Sequence, residues 1–222
     1  MESINQDNYW DFPAVNNSAL SWLEEDFMDE EKKIYLRAAY ANGTLIDCMI
    51  TEPHRVNLYK NKVLHEDYNY TAEEFANAKK MKAAADKDPF LQMFMKDCHF
   101  QHITYRENFE IEYDGVKFTL PMKCKWDLRH KKQNLGGDIK STTATTMKQC
   151  IAAAKYFEYD RSRALYMDLE GTDNDILIFI SKVNYQIFKI PIKRGDEFYN
   201  SGKKKYQELA WRWYTLFGNG KD

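Results

Sequence analysis

The sequence predicts a domain of the α/β or α+β class in which helices flank a central mixed β-sheet. Helical periodicity dominates before residue 99, and alternating strand patterns take over after it. The 222 residues are 44% hydrophobic, which is enough for a sizeable core. The chain contains no repeat, low-complexity tract or Gly/Ser linker, so we assign 1–98 as a helical N-terminal part and 99–222 as the core of the same domain.

The N-terminal part is predicted to contain three helices. "NNSALSWLEED" opens with capping residues, and "EEKKIYLRAAYANGTLIDCMI" forms a second helix interrupted at Gly43. "TAEEFANAKKMKAAADKDPFLQMFMK" is a third, starting at Thr71 with Glu74 in capping-box position. We expect its lysine-rich face to be solvated rather than bound to DNA. Its buried face should consist of Phe75, Ala78, Met81 and Ala85.

Strands are predicted to follow. "ENFEIEYDGVKFTL" alternates around the turn dipeptide Asp114-Gly115, "PMKCKWDL" continues or follows the second strand, and "GGDIKS" forms the third. Downstream, "YDRSRALYMD" should be helical, "DILIFISKVNYQIFKIPI" should hold two strands, and "EFYNSGKKKYQELAWRWYTLF" should be the last helix.

A helix from Thr143 to Phe157 should separate the third strand from "YDRSRALYMD". Thr142 or Thr143 is its expected cap, and the amides of its first turn could then face phosphate. Its expected buried face consists of Met147, Ile151, Ala154 and Phe157.

Composition excludes several classes of protein. No stretch approaches the roughly 18 apolar residues that span a bilayer, and the start "MESINQDNYWDFP" lacks signal-peptide features, so we expect a soluble intracellular protein without a membrane partner. The widely spaced cysteines indicate buried thiols rather than a zinc site. They are Cys48, Cys98, Cys124 and Cys150.

The formal net charge of −2 conceals an asymmetry. Residues 1–31 hold nine acids and no Lys or Arg, so the remaining residues carry 32 basic against 34 − 9 = 25 acidic side chains, or +7. That excess permits a polyanionic partner without requiring one.

Three charged residues could form a reactive site. Successive strand side chains point to opposite faces, so Asp138 and Lys140 should project together while Ile139 enters the core. Asp127 ends the preceding strand and could reach the same spot. A D-x-K triplet alone is more often a surface ion pair. Here, the strand-end Asp and the Gly-Gly entry favour a site.

This arrangement suits phosphodiester hydrolysis. Mg²⁺ takes oxygen ligands and is typically held by one or two carboxylates. We therefore predict Asp127 and Asp138 as ligands, the Ile139 carbonyl as a third, and Lys140 as a catalytic cation that orients the attacking water or stabilises developing charge.

The sequence here resembles the PD-(D/E)-x-K nuclease superfamily, within it the phage-type recombination exonucleases related to RecE and, more distantly, lambda exonuclease. The likeness runs from about residue 16 to 215. The segments that carry it are "NNSALSWL" (16–23), "NGTLIDCMITEP" (42–53), "WDL" (126–128), "GGDIKST" (136–142) and "YDRSRALYMD" (159–168).

The resemblance implies a restriction-endonuclease-like core and a Mg²⁺-dependent DNA exonuclease, with Mn²⁺ as a substitute metal. Its substrate would be linear duplex ends, in phage or prophage recombination in the cytoplasm of a bacterial or phage-infected cell. A single-strand annealing protein and further copies of the chain are the implied optional partners. Nothing in the cysteine spacing supports the iron–sulfur cluster that some relatives carry.

The resemblance also implies roles for individual residues. Tyr159 and Arg161 would contact the DNA backbone, with Arg163 and Thr142 as further DNA-binding candidates. Ser162 stands where relatives often have Gln, which bears on strand positioning more than on metal binding.

Two further metal ligands are candidates. Asp47 stands where many relatives have His, and a ligand and a surface residue are equally open interpretations. Among the upstream acids Glu107, Glu110 and Glu112, our first choice is Glu112. Since Glu110 and Glu112 share one face of a strand, a solvated strand face is the alternative.

Two other functions stay open. The chain could be a catalytically silent DNA-binding or assembly protein that keeps the nuclease fold, or an endonuclease of the repair or restriction type.

Overall fold

The structure is a computed structural model that describes residues 3–25 and 30–218. The strands of its central sheet are β3 His99–Tyr113, β4 Val116–His130, β5 Leu135–Thr142, β6 Asn174–Ser181 and β7 Ile187–Lys193. They lie in the order β3-β4-β5-β6-β7, with β5 and β6 parallel and the other neighbours antiparallel. This confirms the predicted mixed sheet.

Helices cover both faces of this sheet. They are α1 Asn17–Glu25, α2 Glu30–Thr51, α3 Ala72–Lys87, α4 Pro89–Met95, α5 Met147–Tyr156, α6 Tyr159–Glu170 and α7 Glu197–Phe217. A 3₁₀ turn, Pro53–Arg55, and a small hairpin of β1 Val56–Asn57 and β2 Lys62–Val63 follow α2; the sequence patterns did not predict either.

Two apolar cores lie on opposite faces of the sheet. On one face, Trp126 and Phe179 pack with Leu165 of α6 and Leu209 of α7. On the other face, Leu128, Ile139 and Ile178 pack with Ile46 of α2, Met81 of α3 and Leu91 of α4. Burial of these side chains from water is the main force that holds the helices against the sheet.

Several local predictions are confirmed. Thr71 and Glu74 form the reciprocal capping box, and the predicted apolar face of α3 is buried. Asp114 and Gly115 both have positive φ, 49° and 77°, as a tight hairpin turn requires. No helix within residues 3–25 and 30–218 is long and apolar enough to cross a membrane.

Two predicted helix boundaries in the N-terminal part were wrong. α2 continues through Gly43, since a single glycine only lowers helix propensity. Conversely, the predicted third helix divides into α3 and α4 at Asp88, because Pro89 disfavours helical geometry at the preceding residue. The Asp88 carboxylate instead caps α4 by accepting a hydrogen bond from the backbone N–H of Leu91 at 3.0 Å.

The helix after β5 also begins later than predicted. Its cap is Thr146, which forms a capping box with Gln149, whereas Thr142 is the last residue of β5. The predicted buried face was right for Ala154, which is buried, and wrong for Met147 and Ile151, which are 41% and 44% exposed. Cys150 is buried in their place.

Candidate active site

Strand β5 directs its two charged side chains away from its buried Ile139. Ile139 lies in the core beneath α2–α4. Asp138 points toward α6, and its Oδ2 lies 2.6 Å from Nζ of Lys140. The alternation expected from the sequence therefore brings Asp138 and Lys140 together.

Asp127 reaches β5 from the neighbouring strand. The β4–β5 ladder runs from His130/Leu135 to Leu128/Gly137. Immediately beyond it, the Asp127 Oδ2 atom accepts a hydrogen bond from the backbone N–H of Ile139 at 2.8 Å. A side chain thus takes the position of a strand partner, and it joins Asp127 to the Asp138–Lys140 pair.

The alternation of side chains along β4 is interrupted at Asp127. Residues two apart on a strand normally share a face, yet Trp126 and Leu128 belong to opposite cores. The β3–β4 register is unchanged across this point, with His102 opposite Trp126 and Phe100 opposite Leu128. The side-chain alternation of β3 is therefore interrupted as well. The interruption lies at Gln101, which has a φ of +51°.

A buried arginine holds Asp138. Nη1 of Arg163 lies 2.5 Å from Asp138 Oδ1, and its Nε lies 2.7 Å from Oδ2 of Asp175 on β6. Its guanidinium packs against the rings of Trp126 and Tyr166, 4.8 and 4.4 Å from their centroids. Burial alone would raise the pKa of Asp138, but Lys140 and Arg163 outweigh it and lower that pKa. Asp138 is thereby kept ionised.

Asp47 enters the site from α2. The Thr51 hydroxyl donates to its Oδ1 at 3.0 Å, and Nε2 of Gln101 donates to its Oδ2 at 3.0 Å. Burial raises the pKa of Asp47 to about 6, although Thr51, Lys140 and Gln101 each act in the opposite direction. Asp47 is therefore part of the cluster, beside the charge of Lys140.

The carboxylates repel one another. Burial, followed by the negative charges of Asp47 and Asp138, raises the pKa of Asp127 well above its ordinary value. Burial lowers the pKa of Lys140, but Asp138 and Asp127 outweigh that effect and raise it, so the amine stays protonated. A further cation at this point would relieve the repulsion.

The oxygen donors fit a Mg²⁺ site built from few protein ligands. Asp138 Oδ2 is buried without a well-directed hydrogen bond. The carbonyl of Ile139 faces β4, because the N–H and C=O of one strand residue point to the same side. Across residues 3–25 and 30–218, no group of three or more His, Cys, Asp or Glu side chains is already arranged to hold a metal. The donors in place, Asp127, Asp138 and the Ile139 carbonyl, are oxygen ligands of the kind that Mg²⁺ takes together with water.

The DNA-binding candidates lie in different settings. The Lys140 amine lies 5.3 Å from the ring centroid of half-buried Tyr159. Thr142 is buried and its hydroxyl accepts from the backbone N–H of Ala144. Arg161 is also buried and donates to Asn17, Ser21, Glu24 and Glu158, which ties α6 to α1. DNA contact by these residues and by Arg163 stays a prediction.

Glu112 is not brought to the cluster. It pairs with Lys117 near the hairpin turn, ten positions along β4 from Asp127. At roughly 3.3 Å per residue, that is a separation of about 33 Å. Glu112 and Glu110 are exposed, as the alternative of a solvated strand face requires, so the prediction of Glu112 as a ligand was wrong.

Sequence patterns missed three supporting residues: Gln101, Thr51 and Asp175. Asp175 offered a weak signal, since an acid at the start of the apolar run "DILIFI" must be paired if it is buried. Gln101 and Thr51 offered none, because their contacts depend on how α2 packs against β3.

Comparison with known proteins gives structural matches only. No family model matches the chain. No curated protein matches it either. Among solved structures, a Eubacterium rectale protein named "Putative exonuclease" is 14% identical, with a TM-score of 0.56 over 99% of this chain and 87% of that chain. The two proteins share a fold.

This likeness confirms the predicted fold class, a mixed central sheet flanked by helices. A phage related exonuclease from Haemophilus somnus 129PT is 12% identical, with a TM-score of 0.39 over 98% of this chain and 89% of that one.

Proposed function

We propose that the protein is a Mg²⁺-dependent exonuclease that hydrolyses phosphodiester bonds at the ends of linear duplex DNA. The observation that carries the proposal is the meeting of Asp127 with the Asp138–Lys140 pair through the backbone N–H of Ile139. It puts two carboxylates and a protonated amine at one point of the sheet. The fold shared with the Eubacterium rectale protein is consistent with the proposal.

Each residue has a separate task in this proposal. Asp127, Asp138 and the Ile139 carbonyl would hold the metal, with Asp47 as a further oxygen donor. When bound, Mg²⁺ supplies an acidified water and neutralises phosphate charge. Lys140 stays protonated and would orient the attacking water or stabilise the charge that develops on the phosphate. Arg163 would keep Asp138 ionised and fixed in orientation.

The biological setting is proposed on the resemblance to RecE-type exonucleases. We place the protein in phage or prophage recombination inside a bacterial cell, where it would expose single strands for an annealing partner. Mn²⁺ should replace Mg²⁺, and association with further copies of the chain belongs to the same proposal.

The decisive experiment incubates purified protein with linear duplex DNA and Mg²⁺ or Mn²⁺. Lys140→Ala should lower the cleavage rate by at least about 100-fold, since a charge aimed at the reacting phosphate is lost. Lys79→Ala, at an exposed lysine of α3, is the matched control and should cleave like the wild type. Cleavage by Lys140→Ala at the wild-type rate would reject the proposed mechanism.

Two further measurements test the alternatives. Cutting of closed circular DNA would identify an endonuclease instead. A folded wild-type protein that neither cleaves DNA nor binds Mn²⁺ in a calorimetric titration would support the silent DNA-binding protein.

A further inference from the structure

Gln101 holds an unfavourable backbone conformation at the centre of the site. Its φ of +51° lies in the left-handed region, which is unfavourable for a residue other than glycine. The residue is only 4% exposed, and Asp127 occupies the matching position of β4, between the pairs Phe100/Leu128 and His102/Trp126. Gln101 therefore lies where the side-chain alternation of both β3 and β4 is interrupted.

The side-chain Nε2 of Gln101 makes two hydrogen bonds to α2. Its Nε2 donates to Asp47 Oδ2 at 3.0 Å and to the Thr51 hydroxyl at 2.9 Å. The same hydroxyl shares its proton between Oδ1 of Asp47 and the Asp47 backbone carbonyl, each 3.0 Å away. Gln101 thus aligns one carboxylate oxygen directly and the other through Thr51.

The backbone of Gln101 is also held. Its carbonyl accepts a hydrogen bond from Nε2 of Gln6, a residue of the N-terminal segment. This contact secures the backbone turn from which the side chain reaches α2. The N-terminal segment, β3 and α2 therefore meet at this residue.

We propose that Gln101 is a positioning residue that holds the Asp47 carboxylate toward the metal site of Asp127 and Asp138. The inference rests on the proposed function and adds to it a residue that contacts neither metal nor DNA. Residues that orient a metal ligand typically contribute about 10- to 100-fold to metal affinity. Gln101 would act on metal binding and leave DNA binding unchanged.

The test measures Mn²⁺ affinity of the full chain by calorimetry. Gln101→Met keeps the side-chain length and removes both donors, so the affinity should fall at least about 10-fold. Gln101→Gly relieves the positive φ and should lose affinity equally, without requiring a loss of folding stability. Gln133→Met, at an exposed glutamine in the β4–β5 turn, is the matched control and should bind Mn²⁺ like the wild type.

Two measurements distinguish a positioning role of Gln101 from a general loss of structure in the variant. In an Asp47→Asn background, Gln101→Met should cost little further affinity, because the ligand that it orients is already altered. Cleavage by Gln101→Met should recover at saturating Mn²⁺, with the KM for DNA unchanged. Full additivity of the two changes, or no recovery, would overturn the inference.

Two other outcomes separate the positioning role of Gln101 from the proposed nuclease activity. Wild-type affinity in Gln101→Met or Gln101→Gly would reject the positioning role while leaving the proposed nuclease intact. A wild-type chain that binds no Mn²⁺ and cleaves no DNA would reject both, so the two failures are distinguishable.

Discussion

The side chain of Asp127 accepts a hydrogen bond from the backbone of Ile139, 2.8 Å away, just beyond the last β4–β5 residue pair. This contact joins the two strands where their regular pairing ends. It also leaves the Ile139 carbonyl facing the same point.

Asp127→Asn should separate folding from metal binding. The amide oxygen can still accept from Ile139, and loss of the charge removes repulsion with Asp47 and Asp138, so metal-free stability at pH 7 should not fall. Mg²⁺ at 100 times its dissociation constant should stabilise the wild type by about 2.7 kcal/mol and raise its Tm by roughly 5–10 °C. The variant should show no shift in a thermal melt. An equal shift in both proteins would contradict Asp127 as a ligand.

The folding stability of the metal-free protein should depend on pH through Asp47. Its pKa is about 6 in the folded chain against an ordinary 3.8, so the folded state binds the proton more tightly. The stabilisation that comes from binding this proton is complete below about pH 4, and it is lost as the pH rises through 6. In EDTA, Asp47→Asn should therefore gain on the order of 1–3 kcal/mol relative to the wild type between pH 4 and pH 7. Urea unfolding at four pH values checks this, and parallel pH profiles would count against it.

Arg163→Met should destabilise the fold. The substitution leaves the buried carboxylates of Asp138 and Asp175 without their shared partner, at a cost of about 3–5 kcal/mol. Adding Asp175→Asn should recover part of that loss, and Arg106→Met, at an exposed arginine, is the control. The measurement is the free energy of unfolding in urea. A stable Arg163→Met with only weakened DNA binding would instead support the DNA-contact role.

Gly136→Ala should be poorly tolerated. An added Cβ would overlap the ring of Trp126, which is fully buried against Tyr166, and such overpacking costs about 1–3 kcal/mol or more. Gly43→Ala is the matched contrast, because its Cβ meets no atom within 4 Å and the helix should gain roughly 0.5–1 kcal/mol. Thermal melts of the two variants should move in opposite directions. A shared direction would show that Trp126 can move aside.

Local patterns predicted much of this fold. The alternation around Asp114-Gly115 and the capping box at Thr71 depend on neighbours within a few residues, and both are observed. The start of α5 was misplaced because "STTATT" offers several capping hydroxyls, and the sequence does not show which one meets a partner. Thr146 is selected by Gln149, three residues further on.

The sequence by itself determined the α+β class, the five strands and the shared face of Asp138 and Lys140. Strand alternation and short-range turn chemistry operate along the chain, so these features are readable without coordinates. Only the tertiary structure decided that Asp47 and Gln101 join the site, that Arg163 fixes Asp138, and that Glu112 lies elsewhere. Those contacts join residues up to 54 positions apart, and the burial of the α2 and α6 faces against the sheet determines which side chains meet.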